Sequence, residues 1–393
     1  MPEPQDQAQL DAITGQIAAL HRAGRHDAAL DLIDELERRE GDRPEIRHMR
    51  AVTVASQGAL PEAEALMRSA VAELPGDAGR LTDLGALLAR QGKLKEAIEV
   101  LREATGIDPA EATAFSNLGG ALYLTRDFPA AREALERAVS LGAATADAHG
   151  NLGAVLMEQR AYDAAITAFF RALAIDPNAV KTHLMLSAAL LRRNRFEAAR
   201  HHAERAAELS PEAAPPLLQL ARAEAALGRA DAAEAALLTA AGRPGHRLAA
   251  AVQLAHLRSV TPDAPVRAIL AELLTRAEAL PDEPRMALLY AAGKAATDCG
   301  EADEAFAHFE AANAISARLH PFDGARHRAQ AARLREVQSA EFLARHHAAG
   351  VRGPRPIFIT GLPRSGTTLL DQMLSRHSAV QAGGESPAWA RAI

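Results

Sequence analysis

The sequence predicts a mostly α-helical protein, a superhelical solenoid of paired helices followed by the start of an α/β domain. Three observations predict this fold. Alanine recurs every thirty-four residues, a turn residue stands five positions before each of these alanines, and residues 356–393 change to a strand, loop and helix pattern. A unit of this length cannot bury its apolar face alone, so successive units must stack. The alanines are Ala29, Ala63, Ala97, Ala131, Ala165, Ala199 and Ala233.

Each unit is predicted to contain a helix A, a tight turn and a helix B. Glycine and asparagine readily adopt the left-handed conformation that ends a helix. The turn position holds Gly24, Gly58, Gly92, Arg126, Arg160, Asn194 and Gly228. Seven residues after each alanine, one face of helix B carries Leu36, Ala70, Ala104, Ala138, Ala172, Ala206 and Ala240. Proline then closes four of the units, at Pro75, Pro109, Pro177 and Pro211.

Helix A carries a small residue twelve positions before the alanine in every unit except the first, which has Ile17. Small side chains let two helices cross closely, so we expect a tightly packed solenoid whose concave groove is lined by helix A. The small residues of helix A are Ala51, Gly85, Gly119, Gly153, Ser187 and Ala221.

This pattern resembles the tetratricopeptide repeat over about residues 10–247, which would hold seven repeats after an N-terminal tail of residues 1–9. The bulky aromatic residue that the family often has early in helix A is mostly absent, and aromatic residues are only 4% of the chain. Alanine and leucine are expected to fill the core instead. The resemblance implies a right-handed superhelix.

The period slips beyond Arg247, and the next good match is Gly293, Gly300, Ala305, Phe309 and Ala312. We therefore expect residues 248–323 to hold a degenerate repeat with four extra residues, broken at Thr261–Pro265, followed by an eighth repeat. Residues 324–355 are predicted to form a capping helix, over about 324–348, and a linker rich in proline and glycine.

Composition excludes several classes of function. The net charge of −6 is mild and the basic residues are dispersed, which indicates no nucleic-acid partner. The polar N-terminus has no apolar signal core and no stretch could span a bilayer, so we expect a cytoplasmic protein without a membrane partner.

Cys299 is the single cysteine and is expected to be a buried helix residue. The pairs His201-His202 and His346-His347 lack the spacing of a zinc helix, so solvated histidines and no metal site are predicted.

Asn117 and Asn151 occupy the same position of helix A in successive repeats, with Asp83 and Gln219 at equivalent positions. Asparagine is a poor residue for a helix interior. Amides on a concave groove can hydrogen-bond an extended peptide, as in tetratricopeptide glycosyltransferases that carry an asparagine ladder. A peptide-binding role and a tolerated polar surface are both open at this point.

Residues 356–393 carry the pattern of a phosphate-binding site. Ile357–Ile359 read as a short strand, a loop follows from Gly361 to Gly366, and helical spacing resumes from Thr367 to about Arg376, with Leu370, Met373 and Leu374 inward. Backbone N–H groups of such a loop and of the first helical turn converge on an anion. Thr367 stands where a nucleotide-triphosphate P-loop needs lysine, which argues against an ATPase or a kinase.

Pro363–Thr368 resembles the 5′-phosphosulfate-binding loop of sulfotransferases that use 3′-phosphoadenylyl sulfate (PAPS) as co-substrate. Arginine at position 364 resembles the tyrosylprotein branch, whereas the small-molecule enzymes usually have lysine. Tetratricopeptide arrays fused to this domain occur in a bacterial sulfotransferase family, and the chain is similar to it over its whole length. The resemblance implies that PAPS binds at Pro363, Arg364, Ser365, Gly366, Thr367 and Thr368.

The resemblance also implies catalytic roles. Arg364 would hold the sulfuryl or bridging phosphate oxygens, and Glu385, after a second short strand at 379–382, matches the proposed general base of the tyrosylprotein enzymes. Adjacent parallel strands share one crevice at their carboxyl ends, so both residues can face the same sulfur. A surface glutamate at a strand end remains the alternative for Glu385.

The chain ends eight residues after Glu385, and we expect it to be the amino-terminal part of a longer enzyme or a truncated reading frame. Two hypotheses follow. The first is a PAPS-dependent sulfotransferase that acts on a protein or peptide held by the array. The alternative is a protein-interaction scaffold with an inactive remnant of the transferase domain.

Overall fold

The computed structural model describes residues 13–17, 19–21, 23–142, 145–337, 339–346, 367–377 and 380. Helices are the regular secondary structure throughout these residues, as the mostly α-helical prediction requires. The chain divides into two compact units, Met1–Asn313 and Ala314–Ile393. No described helix is both long and apolar enough to cross a bilayer.

Short helices of similar length alternate along most of the first unit, after helical residues at 13–17 and 19–21. The odd-numbered ones are B helices and the even-numbered ones are A helices. They are α1 (His26–Glu40), α2 (Pro44–Ser56), α3 (Leu60–Glu73), α4 (Ala78–Arg90), α5 (Leu94–Ile107), α6 (Ala112–Leu124), α7 (Phe128–Ser140), α8 (Ala146–Glu158), α9 (Tyr162–Ile175), α10 (Val180–Arg192), α11 (Phe196–Leu209), α12 (Ala214–Ala226) and α13 (Ala230–Ala241).

The recurring alanines lie where helices A and B meet. All seven, from Ala29 to Ala233, are 0% exposed. The small residue of helix A explains how the helices approach so closely. A Cβ added to Gly85 or Gly119 would lie 2.4 Å from the Cγ atom of Leu101 or Leu135 in the following B helix. These glycines therefore leave room for large side chains that seal each pair of helices.

The A helices line the inner side of the array. Successive A helices contact one another, as α4 does with α6, α6 with α8 and α10 with α12. The B helices make no contact of comparable extent with each other in the residues that the structure describes. The A side is therefore the more closely packed one, and the solenoid is concave along helix A, as predicted from its small residues.

The turns between helices A and B have the predicted left-handed residue. Gly58, Gly92 and Gly228 have φ angles of 91°, 77° and 75°. Arg126 and Arg160 have φ angles of 64° and 59° at the same position, where a side chain costs conformational energy.

The region after α13 keeps paired helices but changes their connection. It contains α14 (Arg247–Leu257), α15 (Pro265–Leu274), a 3₁₀ turn (Ala277–Ala279), α16 (Asp282–Asp298) and α17 (Ala302–Leu319). Residues 258–264 join α14 to α15 in place of a tight turn. Lys294 Nζ donates to the Arg258 carbonyl at 2.8 Å, and Asp298 accepts from Val260 N–H at 2.8 Å. Cys299 is half-buried at the end of α16, with its Sγ 3.5 Å from the Val260 carbonyl.

The second unit contains α18 (Gly324–Val337), α19 (Ala340–His346) and α20 (Thr367–Leu374). Two helices thus stand where one capping helix was predicted over 324–348. The side chain of Ser339 accepts from Phe342 N–H at 3.2 Å and so starts the second helix. In α20, Leu370 and Met373 are 46% and 64% exposed, contrary to the inward orientation expected of them. The predicted strands at 357–359 and 379–382 lie outside the described residues, apart from Val380.

Candidate functional site

Asn117 and Asn151 lie on the inner side of the array, in α6 and α8. Both side chains are half-buried, and neither amide hydrogen-bonds to another residue that the structure describes. The Nδ2 atom of Asn151 lies 3.4 Å from the position that a Cβ on Gly120 would take. Each amide can accept and donate hydrogen bonds. Two adjacent repeats therefore present unused amides along the groove.

The equivalent residues in other repeats are already engaged. Asp83 accepts a hydrogen bond of 2.7 Å from Nε2 of His48, on the preceding A helix. Gln219 is buried, and its Nε2 donates to Ser187 Oγ at 3.2 Å. The polar row that the sequence indicates is thus divided. Its two central members have no hydrogen-bond partner among the described residues, and the outer two join neighbouring A helices.

Small residues surround the two amides. Three positions after Asp83, Asn117 and Asn151, one turn along the same helix face, stand Ala86, Gly120 and Ala154. Small side chains leave space for another backbone to approach closely. Each polar residue of this row thus has a small neighbour one turn along its helix, an arrangement that leaves room for an extended chain.

A histidine cluster lies between α10 and α11. The Nδ1 atoms of His183 and His202 are 3.0 Å apart, and His183 Nε2 is 3.0 Å from the Pro177 carbonyl. Burial, helped by His183 and His201, lowers the pKa of His202 to about 4. The sequence predicted solvated histidines here, so this contact was missed. The signal that could have indicated it is the spacing of nineteen residues, which places His183 on a helix A and His202 on the facing side of the helix B that follows. No group of three or more metal-ligating side chains occurs among the residues described.

Most of the predicted PAPS loop lies outside the described residues. This applies to Pro363, Arg364, Ser365 and Gly366, and to Glu385. Thr367 and Thr368 form the first turn of α20, which begins directly after the predicted loop. The first N–H groups of a helix have no partner within the helix.

Comparison with protein families finds two kinds of match. A model described as "Sulfotransferase family" matches residues 356–392. Models of tetratricopeptide repeats match residues 16–78, 85–125, 112–144, 146–179 and 184–247.

A solved structure shows the same fold for the array, and a second is similar over part of it. The APC/C hetero-tetramer Cut9-Hcn1 aligns with a TM-score of 0.51 and 14% identity, over 77% of this chain and 55% of that chain. YrrB, described as a TPR protein with an unusual peptide-binding site, has a TM-score of 0.41 and 22% identity, over 47% of this chain and 95% of that one.

A curated relative shares part of the sequence. An uncharacterized protein from Aquifex aeolicus (strain VF5) is 34% identical over 116 residues. The match spans 30% of this chain and 15% of the relative's length.

Proposed function

Because the chain carries tetratricopeptide repeats, we propose that it is a sulfotransferase whose array holds the acceptor. The array binds a protein or peptide in its groove, and residues 356–393 transfer a sulfuryl group from PAPS to a hydroxyl of that acceptor. The sulfotransferase family match at 356–392 carries the proposal for the chemistry.

The free amides of Asn117 and Asn151 support the acceptor site. An extended peptide presents alternating N–H and C=O groups, and each asparagine amide can pair with both. The adjacent A helices α6 and α8 contact one another, so the two amides can act on neighbouring stretches of a single bound chain. Backbone recognition of this kind is tolerant of sequence and would leave selection of the hydroxyl to the transferase segment.

In the proposed reaction, the acceptor hydroxyl oxygen attacks the sulfur of PAPS and the bond from sulfur to the bridging 5′-phosphate oxygen breaks. Glu385 takes the hydroxyl proton, and adenosine 3′,5′-bisphosphate leaves. Arg364 stabilises the charge that develops on the leaving phosphate, because its guanidinium is permanently charged. The start of α20 at Thr367 supports an anion site there, since helix N-termini favour phosphate.

An interaction scaffold without transfer is the second candidate. It is favoured by the observation that the free amides and the small residues beside them all lie in the repeat array, within α4–α8. A scaffold would bind the same peptides but would neither bind PAPS nor transfer sulfate.

The groove is tested by replacing both free asparagines with alanine. The probe is the tightest-binding peptide selected from a displayed random library. Loss of two hydrogen bonds should cost about 2 kcal/mol, or roughly thirtyfold in affinity. The matched control is Asn178→Ala with Asn313→Ala, which removes two amides that bind Arg205 and Tyr290 instead. Equal affinity of the groove variant and wild type would exclude the groove as the peptide site.

The chemistry is tested in the natural full-length protein with radiolabelled PAPS. Glu385→Gln keeps the side chain's size but removes its basicity, so kcat should fall by about 10²–10⁴-fold with PAPS affinity little changed. Arg364→Ala should lower both PAPS binding and turnover. Near-normal turnover in Glu385→Gln would assign the base to another residue. Peptide binding without any PAPS binding or transfer would favour the scaffold.

A further inference from the structure

Arginine occupies the tight turn between helices A and B in two successive repeats. Arg126 and Arg160 have positive φ angles of 64° and 59°, in a conformation that glycine adopts in other repeats. A non-glycine residue there raises the energy of the folded state. Neither arginine gains an ion pair in return from any residue that the structure describes. The conformation of the turn therefore does not explain why arginine occupies these two positions.

Aromatic rings lie against two of the arginines at this edge. The guanidinium carbon of Arg126 is 5.6 Å from the centre of the Phe128 ring, and that of Arg192 is 5.5 Å from the Tyr162 ring. Such contacts hold a guanidinium in place. Arg192 Nε also donates to the Tyr162 hydroxyl at 3.3 Å, and neither guanidinium has a carboxylate partner among the described residues. Leu124, the last residue of α6, is 59% exposed beside them.

Positive charge exceeds negative charge on this edge. Arg193 Nε pairs with Asp163 at 2.9 Å, and the Asp127 carboxylate accepts from Ala130 N–H at 3.3 Å to cap α7. Glu158 is the exposed carboxylate of α8 nearby. A shallow cavity of about 290 Å³ opens between Arg160, Tyr162 and Arg193.

We propose that the turn edge, defined as Leu124, Arg126, Phe128, Arg160, Tyr162 and Arg192, binds an acidic linear segment of a partner protein. Charge complementarity identifies the partner, because oriented guanidinium groups without carboxylate partners pair best with aspartate or glutamate. Leu124 and the aromatic rings provide the apolar contact that interfaces rich in arginine and tyrosine use. This site lies at the turns and is separate from the asparagines of the groove, so it does not depend on the proposed function.

The test replaces Arg126 and Arg160 with glycine. Glycine suits the positive φ of both turns, so the melting temperature should stay unchanged or rise while two charges are lost. The probe is a fluorescein-labelled peptide of repeating Glu-Glu-Leu, with a Gln-Gln-Leu peptide for comparison. Arg126→Gly with Arg160→Gly should weaken binding of the acidic probe about tenfold or more. The Gln-Gln-Leu peptide should bind neither protein.

The control is Arg102→Gln with Arg171→Gln, two exposed arginines on helix B faces. This variant loses the same charge and should bind the acidic probe within about twofold of wild type. An equal loss in both variants would overturn the proposal, because it would show attraction to net charge alone. Failure of wild type to bind the probe would also overturn it. So would self-association of wild type that the glycine variant abolishes, or tighter binding of an oligonucleotide than of the acidic peptide.

Discussion

Glu64 shows how a single charged residue can lie in the core of a helical repeat. Its side chain, in α3, is 8% exposed and accepts hydrogen bonds from Lys93 Nζ at 2.6 Å and Arg68 Nε at 2.9 Å. The hydrogen bond from Lys93, together with that from Arg68, outweighs the effect of burial and lowers the pKa of Glu64 to about 2. Lys93 and Glu64 belong to successive repeats, so the ion pair joins neighbouring units.

This pKa predicts how Glu64 contributes to stability as pH changes. A carboxyl group with a lowered pKa stabilises the folded state fully above its unfolded pKa of 4.5, and the contribution is lost as pH falls toward about 2. Glu64→Gln should therefore lower the free energy of unfolding by about 1–2 kcal/mol at neutral pH, since solvent screens part of the interaction. The difference from wild type should shrink in acid.

Urea denaturation of both proteins at neutral pH and at about pH 3 checks this prediction. Glu62→Gln is the control, because Glu62 is exposed on the same helix and forms no ion pair with a described residue. A difference between Glu64→Gln and wild type that stayed constant with pH would show that the negative charge of Glu64 is not the source of the stabilisation.

Helix packing depends on the small residue that each A helix places against the following B helix, which is glycine in α4, α6 and α8. Within α6, Gly119 and Gly120 are adjacent but face different neighbours. A Cβ on Gly119 would meet Leu135 at 2.4 Å, whereas one on Gly120 would come no closer than 3.4 Å to Asn151. The two positions therefore separate the effect of helix propensity from the effect of packing.

We predict opposite outcomes for alanine at these two positions. Gly119→Ala should destabilise the protein by about 1–3 kcal/mol, because α6 and α7 must move apart. Gly120→Ala should stabilise it by about 0.5–1 kcal/mol, since alanine favours the helix and meets only an ordinary contact. Thermal and urea unfolding measure both. If Gly119→Ala were as stable as Gly120→Ala, the close approach of the helices would be refuted.

The repeat array behaves as a chain of units that contact mainly their neighbours. Each helix of α2–α13 packs against the adjacent helices and, for the A helices, against the next A helix. Stability in such an array is the sum of the stabilities of its units and of the interfaces between them. A local defect should therefore remain local.

Hydrogen exchange of the Gly119→Ala variant tests this property. Amides in α6, α7 and the helices packed on them should exchange faster than in wild type, while α13 should be unaffected. The Gly120→Ala variant provides the comparison without a packing defect. Uniformly faster exchange along α2–α13 would show that the array unfolds as one cooperative unit.

Most of the array could be predicted from sequence because its signals are local and repeated. The buried alanines, the left-handed turns and the tight glycines all follow from side-chain size and backbone freedom at a fixed interval. Contacts between repeats could not be read in this way. The pairing of His48 with Asp83 and of His183 with His202 depends on rotamers and on the orientation of neighbouring helices. The sequence singled out Asn117 and Asn151, but only the structure shows that neither amide hydrogen-bonds to a described residue.

The close approach of Gly153 to the Phe169 ring limits which parts of the repeat can be exchanged. A Cβ on Gly153 would lie 2.5 Å from that ring, and the next repeat instead has Ser187 on helix A and Ala203 at the position equivalent to Phe169. A larger residue on one helix is matched by a smaller one on its partner. Moving α10 alone opposite α9 would place Ser187 against Phe169. The hairpin of α8 and α9 can therefore be moved along this solenoid as a unit, whereas α10 cannot replace α8 on its own.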